Sequence, residues 1–112
     1  MLLCGNLFGD IVSDLAAGLA GGICVGGATN YGENIVMFEN PHGKAPTLAG
    51  SGRANPIPIL IQGINLLHHL GEKEAANRLS KALKTTLPQL QTVDNGGDDG
   101  CEAVEAALSA AL

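Results

Sequence analysis

The sequence has few aromatic residues and few basic ones. Its 112 residues include no tryptophan, one tyrosine and two phenylalanines, so a core must be built from alanine, leucine, isoleucine and valine. Six lysines and arginines face eleven acidic residues, giving a formal net charge of −5. This balance, without a basic stripe, excludes a nucleic-acid-binding protein. The hydrophobic fraction of 46% excludes intrinsic disorder, and the length allows one domain or part of one.

The cysteines form no recognisable pair. Cys4, Cys24 and Cys101 are odd in number and widely spaced, with no CxxC motif and no disulfide pattern of a secreted protein. We therefore predict a reduced compartment, cytoplasm or mitochondrial matrix, in which the three are packed thiols rather than nucleophiles. Residues 1–10 lack the basic region of a signal peptide and the arginines of a transit peptide, which predicts that the protein is not secreted.

Residues 15–32 carry no charge, which raises the question of a membrane span. Their length is borderline, and Gly18, Gly22 and Gly26 have the four-residue spacing of a helix-pairing face. However, six glycines together with Asn30 and Tyr31 make the stretch poorly apolar. We predict no membrane association, but a buried glycine- and alanine-rich helix followed by a close-packed turn.

Hydrophobic periodicity and turn residues predict mainly helices. The predicted order is helix 10–19, an apolar strand or turn at 23–25, loop signals at 26–30, a buried strand at 34–38, loop 39–55, helix 56–70 ended by Gly71, helix 72–87, loop 95–100 and helix 101–112. Asn55 is a good helix cap and Pro56 suits a first helical position. Loop 39–55 is long enough to suggest a function.

Two acids lie four residues apart in the first predicted helix. Asp10 and Asp14 would project from the same face, where their repulsion is unfavourable unless a cation neutralises it. Carboxylate oxygens suit Mg²⁺ or Mn²⁺. The alternative is that Asp10 only stabilises the helix N-terminus while Asp14 lies in solvent. The adjacent His68 and His69 point in different directions and make a poor metal pair.

The loop from His42 to Pro56 is the second candidate site. Its glycines allow close approach of a ligand to the backbone, and it leads into a helix N-terminus, which favours anions. Neither G-x-G-x-x-G nor G-x-x-x-x-G-K-[ST] occurs in it, so neither nucleotide-binding fingerprint applies. The alternative is a surface loop with a capping asparagine.

Taken in order, these segments resemble the C-terminal part of the isocitrate/isopropylmalate dehydrogenase family. NLFGDIVSD at residues 6–14 matches the metal-site segment, and residues 38–46 match F-E-x-x-H-G-[ST]-A-P. Residues 54–56 (ANP) close the cofactor loop, and residues 92–97 match T-x-D-x-G-G. The similarity covers nearly the whole chain. It implies an α/β fold, with residues 1–112 forming a mainly helical C-terminal part of the large domain.

The resemblance also implies a function. Such enzymes oxidise and decarboxylate a 2-hydroxy acid, here isocitrate in preference to 3-isopropylmalate, with hydride transfer to NAD or NADP and with Mg²⁺ or Mn²⁺ as Lewis acid. Asp10 and Asp14 match metal ligands. The positions that match cofactor-binding residues are Glu39, His42, Gly43, Lys44, Ala45, Thr47, Leu48 and Asn55. The family also implies a homo- or hetero-oligomer.

The departures from the family pattern carry information too. Thr47 and Leu48 replace the Asp and Ile of NAD users and are not the Lys and Tyr of NADP users, while Lys44 replaces a small hydroxyl residue. The family's catalytic Tyr and Lys, its substrate-binding arginines and a third metal Asp have no counterpart here. We therefore expect no catalytic residue and no turnover from this chain alone, and an exposed apolar surface. The alternative is a regulatory or assembly subunit derived from the same family.

Overall fold

The structure, a computed structural model, describes residues 1–23 and 26–112. Within these residues, four α-helices and two strands form an α/β arrangement. Their order is α1 (Asn6–Ala20), β1 (Ala28–Tyr31), β2 (Val36–Glu39), α2 (Ile57–His69), α3 (Lys73–Thr86) and α4 (Cys101–Ala111). Two single 3₁₀ turns, Leu87–Gln89 and Val93–Asn95, connect α3 to α4. Of the apolar segment predicted at 23–25, Cys24 and Val25 lie outside the described residues.

The core lies between the three C-terminal helices. α3 packs against both α2 and α4. The core cluster consists of Ile57, Ala82, Leu83, Val104 and Leu108, with Leu60, Ile61, Ile64 and Leu90 packed around it. The apolar face predicted from the spacing of the α2 residues is therefore confirmed. Because all three helices contribute, this core holds in place the loop that precedes α2 and the turn that precedes α4.

The ends of α2 follow local sequence signals. The Asn55 side-chain oxygen accepts a hydrogen bond from the Ile57 amide at 2.9 Å, which confirms the predicted capping role of Asn55. The helix itself begins at Ile57, one residue later than predicted. At the other end Gly71 has φ +84°, and the Glu72 amide donates to the Leu67 carbonyl at 2.9 Å. Gly71 thus ends the helix as predicted.

The strand prediction needs two corrections. Thr29 and Asn30, predicted as loop signals, lie in β1, which pairs antiparallel with β2 in the register Ala28↔Glu39 to Tyr31↔Val36. β2 begins at Val36 and is not a buried strand, because its side chains alternate between half-buried and exposed. The strand propensities of β1 are mixed, since Thr29 and Tyr31 favour a strand and Ala28 and Asn30 do not, and pairing with β2 decides the outcome.

Side chains of both strands attach the hairpin formed by β1 and β2 to α2. The Thr29 hydroxyl donates to the Gln62 side-chain oxygen at 3.2 Å, and the ring centroids of Phe38 and His69 are 5.8 Å apart. β2 also packs on α2 as an element. The loop that follows β2 is consequently tied to the helical core at both of its ends.

Helix α1 differs from the other helices. It begins at Asn6, four residues before the predicted start, and has no buried residue, so the prediction of a buried helix is wrong. Leu7, Phe8, Ile11 and Leu15 are between 57% and 68% exposed. The predicted exposure of apolar surface is thereby confirmed. No helix in the described part of the chain has both the length and the apolar character needed to cross a membrane.

Candidate functional site

A cavity of about 490 Å³ lies beside the loop that joins β2 to α2. This volume is in the range of small-molecule sites. Six of the predicted cofactor-binding residues line it, namely His42, Gly43, Lys44, Ala45, Leu48 and Asn55. Ile23, Ala49, Gly50, Gly52, Ala54 and Cys101 complete the wall. The structure therefore brings most of the predicted loop residues, which are up to thirteen positions apart in the sequence, to one cavity.

The loop is shaped by successive short turns. The Leu48 amide donates to the Ala45 carbonyl at 2.8 Å, and the Ser51 amide donates to the Leu48 carbonyl at 3.1 Å. Gly50 and Gly52 have φ of +74° and +72°, a left-handed conformation that side-chain-bearing residues rarely adopt. These turns fold the loop back on itself, so that one side of its backbone faces the cavity.

Asn55 fastens the loop to the segment before α4. Its side-chain nitrogen donates to both carboxylate oxygens of Asp94 at 3.1 Å and lies 3.4 Å from the Thr92 hydroxyl. Its oxygen caps α2. The amide of Asn55 is therefore engaged within the chain, and its predicted contact with a cofactor stays a prediction.

Cys101 is a cavity residue that the sequence did not reveal. Its amide donates to the Gly52 carbonyl at 3.0 Å, and its thiol lies 3.2 Å from the Ala54 carbonyl oxygen. Cys4 and Cys101 are both exposed, which overturns the prediction of packed thiols for these two; Cys24 lies outside the described residues. The only feature of the sequence that could have indicated a place for Cys101 in the site is its position directly after the glycine-rich residues 95–100.

Glu39 and Thr47 are the two predicted cofactor residues that do not line the cavity. Glu39 ends β2 and accepts a hydrogen bond from the Asn30 side chain at 2.7 Å. This contact from the neighbouring strand gives the carboxylate a fixed position. The predicted roles of Glu39 and Thr47 toward a cofactor stay predictions.

The charged side chain described in the cavity wall is a positive one. Lys44 is a cation in its wall, and among the lining residues that the structure describes there is no carboxylate. The Nδ1 atom of His42 lies 3.1 Å from the Gly43 carbonyl oxygen. Because a carbonyl only accepts, this nitrogen carries the proton, and Nε2 is left available to a ligand. The cavity therefore combines an apolar lining with a small number of polar groups, as ligand sites do.

Asp10 and Asp14 lie one turn apart on α1, and both are exposed. Since the helix begins at Asn6, its first turn contains no acid. The alternative in which Asp10 stabilises the helix N-terminus is therefore wrong. In the residues described, no group of three or more potential ligands could hold a metal ion. The predicted role of these two acids as metal ligands stays a prediction.

Comparison with known proteins bears on both sites. The model of a protein family described as isocitrate/isopropylmalate dehydrogenase matches residues 1–108. Among curated proteins, the isocitrate/homoisocitrate dehydrogenase of Thermus thermophilus is 44% identical over 108 residues, covering 96% of this chain and 32% of the relative. A mitochondrial protein of Dictyostelium discoideum, whose name describes a regulatory chain of NAD isocitrate dehydrogenase, is 41% identical over 99 residues, covering 86% of this chain and 28% of the relative.

Solved structures agree with these matches. A crystal structure of isocitrate dehydrogenase from Methylococcus capsulatus superposes with a TM-score of 0.82 at 39% identity, covering 95% of this chain and 33% of that one. The similarity at this identity confirms the α/β fold inferred from the motifs. This chain spans about a third of the length of the Thermus thermophilus relative.

Proposed function

Because the chain belongs to the isocitrate/isopropylmalate dehydrogenase family, we propose that it supplies the adenosine-binding cavity and two metal-binding carboxylates of a decarboxylating dehydrogenase. The whole protein would oxidise a 2-hydroxy acid, isocitrate in preference to 3-isopropylmalate, with NAD or NADP and Mg²⁺ or Mn²⁺. The observation that carries this proposal is the cavity, in which six residues of the predicted cofactor loop meet.

The cavity suits an adenosine group. Its wall contains Leu48 and several small residues, which offer apolar contact to a flat base. Gly43 and Gly52 allow a ligand to approach the backbone, and the Nε2 atom of His42 offers one polar contact. Cys101 makes hydrogen bonds to Gly52 and Ala54 of the loop, and these hold that part of the cavity wall in place before a ligand binds. A wall that is already ordered reduces the entropic cost of binding.

The two acids of α1 suit a hard divalent cation. Asp10 and Asp14 present oxygen ligands from one helix face, and Mg²⁺ commonly takes one or two carboxylates together with substrate oxygens and water. The ion pair found among the described residues is Arg53 with Asp98, so neither acid of α1 is neutralised by a protein cation there. When bound, the metal supplies Lewis acidity toward the substrate hydroxyl, and the nicotinamide accepts the hydride.

A test of the cofactor cavity uses the two described cysteines. Cys101 lines the cavity, whereas Cys4 precedes α1 and does not line it. We expect NAD or NADP to slow alkylation of Cys101 by iodoacetamide, as followed by peptide mass spectrometry, while the alkylation rate of Cys4 stays unchanged. Equal rates at Cys101 with and without saturating dinucleotide would contradict the assignment of the cavity.

A test of the metal site uses paramagnetic Mn²⁺. We expect it to broaden the amide NMR signals around Asp10 and Asp14 selectively, and the variant Asp14→Asn to lose this broadening. Glu105→Gln, an exposed position on α4, removes the same charge and serves as the matched control. Broadening that is unchanged in Asp14→Asn would remove Asp14 from the ligand set.

A second candidate function is that of a regulatory or assembly subunit. The similarity to the Dictyostelium protein with a regulatory name favours it. The two candidates differ at α1, because a regulatory chain can bind adenine nucleotide without a metal at Asp10 and Asp14. Protection of Cys101 by nucleotide combined with no local effect of Mn²⁺ would support this second function over the first.

A further inference from the structure

We propose that Asp94 is a positioning residue of the cavity. It holds the side-chain amide of Asn55 in one orientation and thereby keeps the end of the loop in the arrangement that binds a nucleotide. This inference rests on the proposed function of the cavity. It goes beyond that function by assigning part of the binding affinity to a residue outside the cavity wall, since Asn55 lines the cavity and Asp94 is not among the described lining residues.

The Asn55 side chain is held in one orientation by partners at both of its ends. Its oxygen accepts a hydrogen bond from the Ile57 amide at 2.9 Å, and its nitrogen donates to both carboxylate oxygens of Asp94 at 3.1 Å. The reversed amide would place its oxygen against a carboxylate, which only accepts, and its nitrogen against a backbone N–H, which only donates. The two partners therefore select the same orientation, and the bond to the charged group is the stronger of the two kinds.

Asp94 is itself held in place by the turn that carries it. It lies in the turn Val93–Asn95, where the Asn95 amide donates to the Thr92 carbonyl at 2.9 Å. Thr92 is only 4% exposed, so the turn is anchored in buried structure although Asp94 is exposed. A carboxylate on an anchored turn is a fixed partner for the Asn55 amide.

The carboxylate of Asp94 is available for this role. Among the residues that the structure describes, the recorded ion pair is Arg53 with Asp98, and the side-chain hydrogen bonds to Asp94 come from Asn55. The Arg53–Asp98 pair also joins the loop to the segment before α4, but neither of its residues is among the described lining residues. Of these two side-chain contacts, the one through Asn55 therefore acts directly on the cavity wall.

The Asn55–Asp94 contact orders part of the cavity wall before a nucleotide binds. Without the carboxylate, the Asn55 nitrogen loses its acceptor, and the end of the loop must then be ordered during binding, which lowers affinity. Charge alone would have the opposite effect, because removing an acid close to the site of an anionic nucleotide favours binding. A loss of affinity on removing Asp94 thus has a sign that simple electrostatics does not produce.

The test measures the binding of 5′-ADP to the 112-residue chain by isothermal titration calorimetry. We expect Asp94→Ala to raise the dissociation constant about fivefold, the scale set by ordering one side chain. Asp94→Asn removes the same charge but keeps an acceptor oxygen for Asn55, so its dissociation constant should stay within about twofold of the parent value. Because Asp94 is exposed, both variants should fold, which urea unfolding verifies.

The matched control is Asp98→Ala. It removes the same charge from the same segment and releases Arg53, which lies outside the described cavity wall, so it should not weaken binding of 5′-ADP. A readout without ligand is the NMR signal of the Asn55 side-chain amide. We expect this signal to shift toward those of solvent-exposed asparagines in Asp94→Ala and to stay in place in Asp98→Ala.

The outcomes separate this inference from the proposed function. If the parent chain does not bind 5′-ADP, the cavity is not an adenosine site, and both fail. If the parent binds and folded Asp94→Ala binds as tightly, or if Asp98→Ala weakens binding to the same extent, the inference about Asp94 fails while the cavity assignment stands. Equal losses in Asp94→Ala and Asp94→Asn, or an Asn55 amide signal that does not shift in Asp94→Ala, would also overturn it.

Discussion

Gly100 lies directly against the backbone of Gly52, where the turn before α4 meets the cofactor loop. A Cβ atom at Gly100 would collide with the Gly52 carbonyl oxygen and lie 3.0 Å from the Arg53 Cα. The same carbonyl accepts the Cys101 amide. Since all of these atoms except the added one belong to backbone, little can move to make room for a side chain.

The prediction at this scale is that Gly100→Ala destabilises the chain by about 1–3 kcal/mol through steric overlap. Gly63→Ala is the matched control, because Gly63 lies inside α2 with no atom within 4 Å of an added Cβ. There the better helix propensity of alanine should stabilise the fold by about 0.5–1 kcal/mol. Urea unfolding followed by circular dichroism measures both changes, and a Gly100→Ala variant as stable as the parent would contradict the close contact.

Single residues show what sequence motifs can and cannot predict. The motif around His42 predicted the loop residues that line the cavity, because they are neighbours in the chain. Cys101 joins them from about fifty positions away through hydrogen bonds to Gly52 and Ala54. Such a contact between distant segments leaves no periodic or compositional signal in one sequence.

At the scale of secondary-structure elements, α1 and α3 differ in burial. Leu83 on α3 is 4% exposed and belongs to the core cluster, whereas Leu19 near the end of α1 is 83% exposed. The same chemical change at these two positions should therefore have very different costs.

We expect Leu83→Ala to lower the free energy of unfolding by about 2–4 kcal/mol, from lost burial and the remaining cavity. Leu19→Ala should change it by less than about 0.5 kcal/mol. Both are measured by urea unfolding under identical conditions. Comparable losses at the two positions would mean that α1 is part of the cooperative core, contrary to the structure.

Helix prediction succeeded and strand prediction was less accurate for a physical reason. The helical spacing in α2 and α3 and the end signal at Gly71 are local, so the sequence contains them. β1 consists of Ala28, Thr29, Asn30 and Tyr31, of which only Thr29 and Tyr31 favour a strand, and it becomes a strand by pairing with β2. The early start of α1 was missed because Gly9 interrupts the apolar pattern of its first turn.

At the scale of the whole molecule, the apolar side chains are unevenly distributed. The buried core side chains all come from α2, α3 and α4, while Leu7, Phe8, Ile11 and Leu15 of α1 remain exposed. The chain spans about a third of the length of its relative from Thermus thermophilus. An exposed apolar surface of this kind can be detected with a dye that binds such surfaces.

We expect the chain to bind the hydrophobic dye ANS in its folded state. Replacing Ile11 and Leu15 together by lysine should lower the dye fluorescence toward background. Ser109→Lys adds positive charge on the exposed side of α4 and should leave the fluorescence unchanged. Dye fluorescence that is the same in the double variant as in the parent would place the exposed apolar surface elsewhere.

The sequence alone determined the helical segments of the core, the turn-rich loop, the pair of acids one turn apart and the membership of a dehydrogenase family, because each depends on residues that are close together in the chain. Tertiary structure decided that β1 pairs with β2, that Cys101 faces the loop, that Arg53 is bound to Asp98 and that Lys44 is left beside the cavity. These outcomes depend on which distant segments touch when the three C-terminal helices bury their apolar faces, and chain-local patterns do not contain that information.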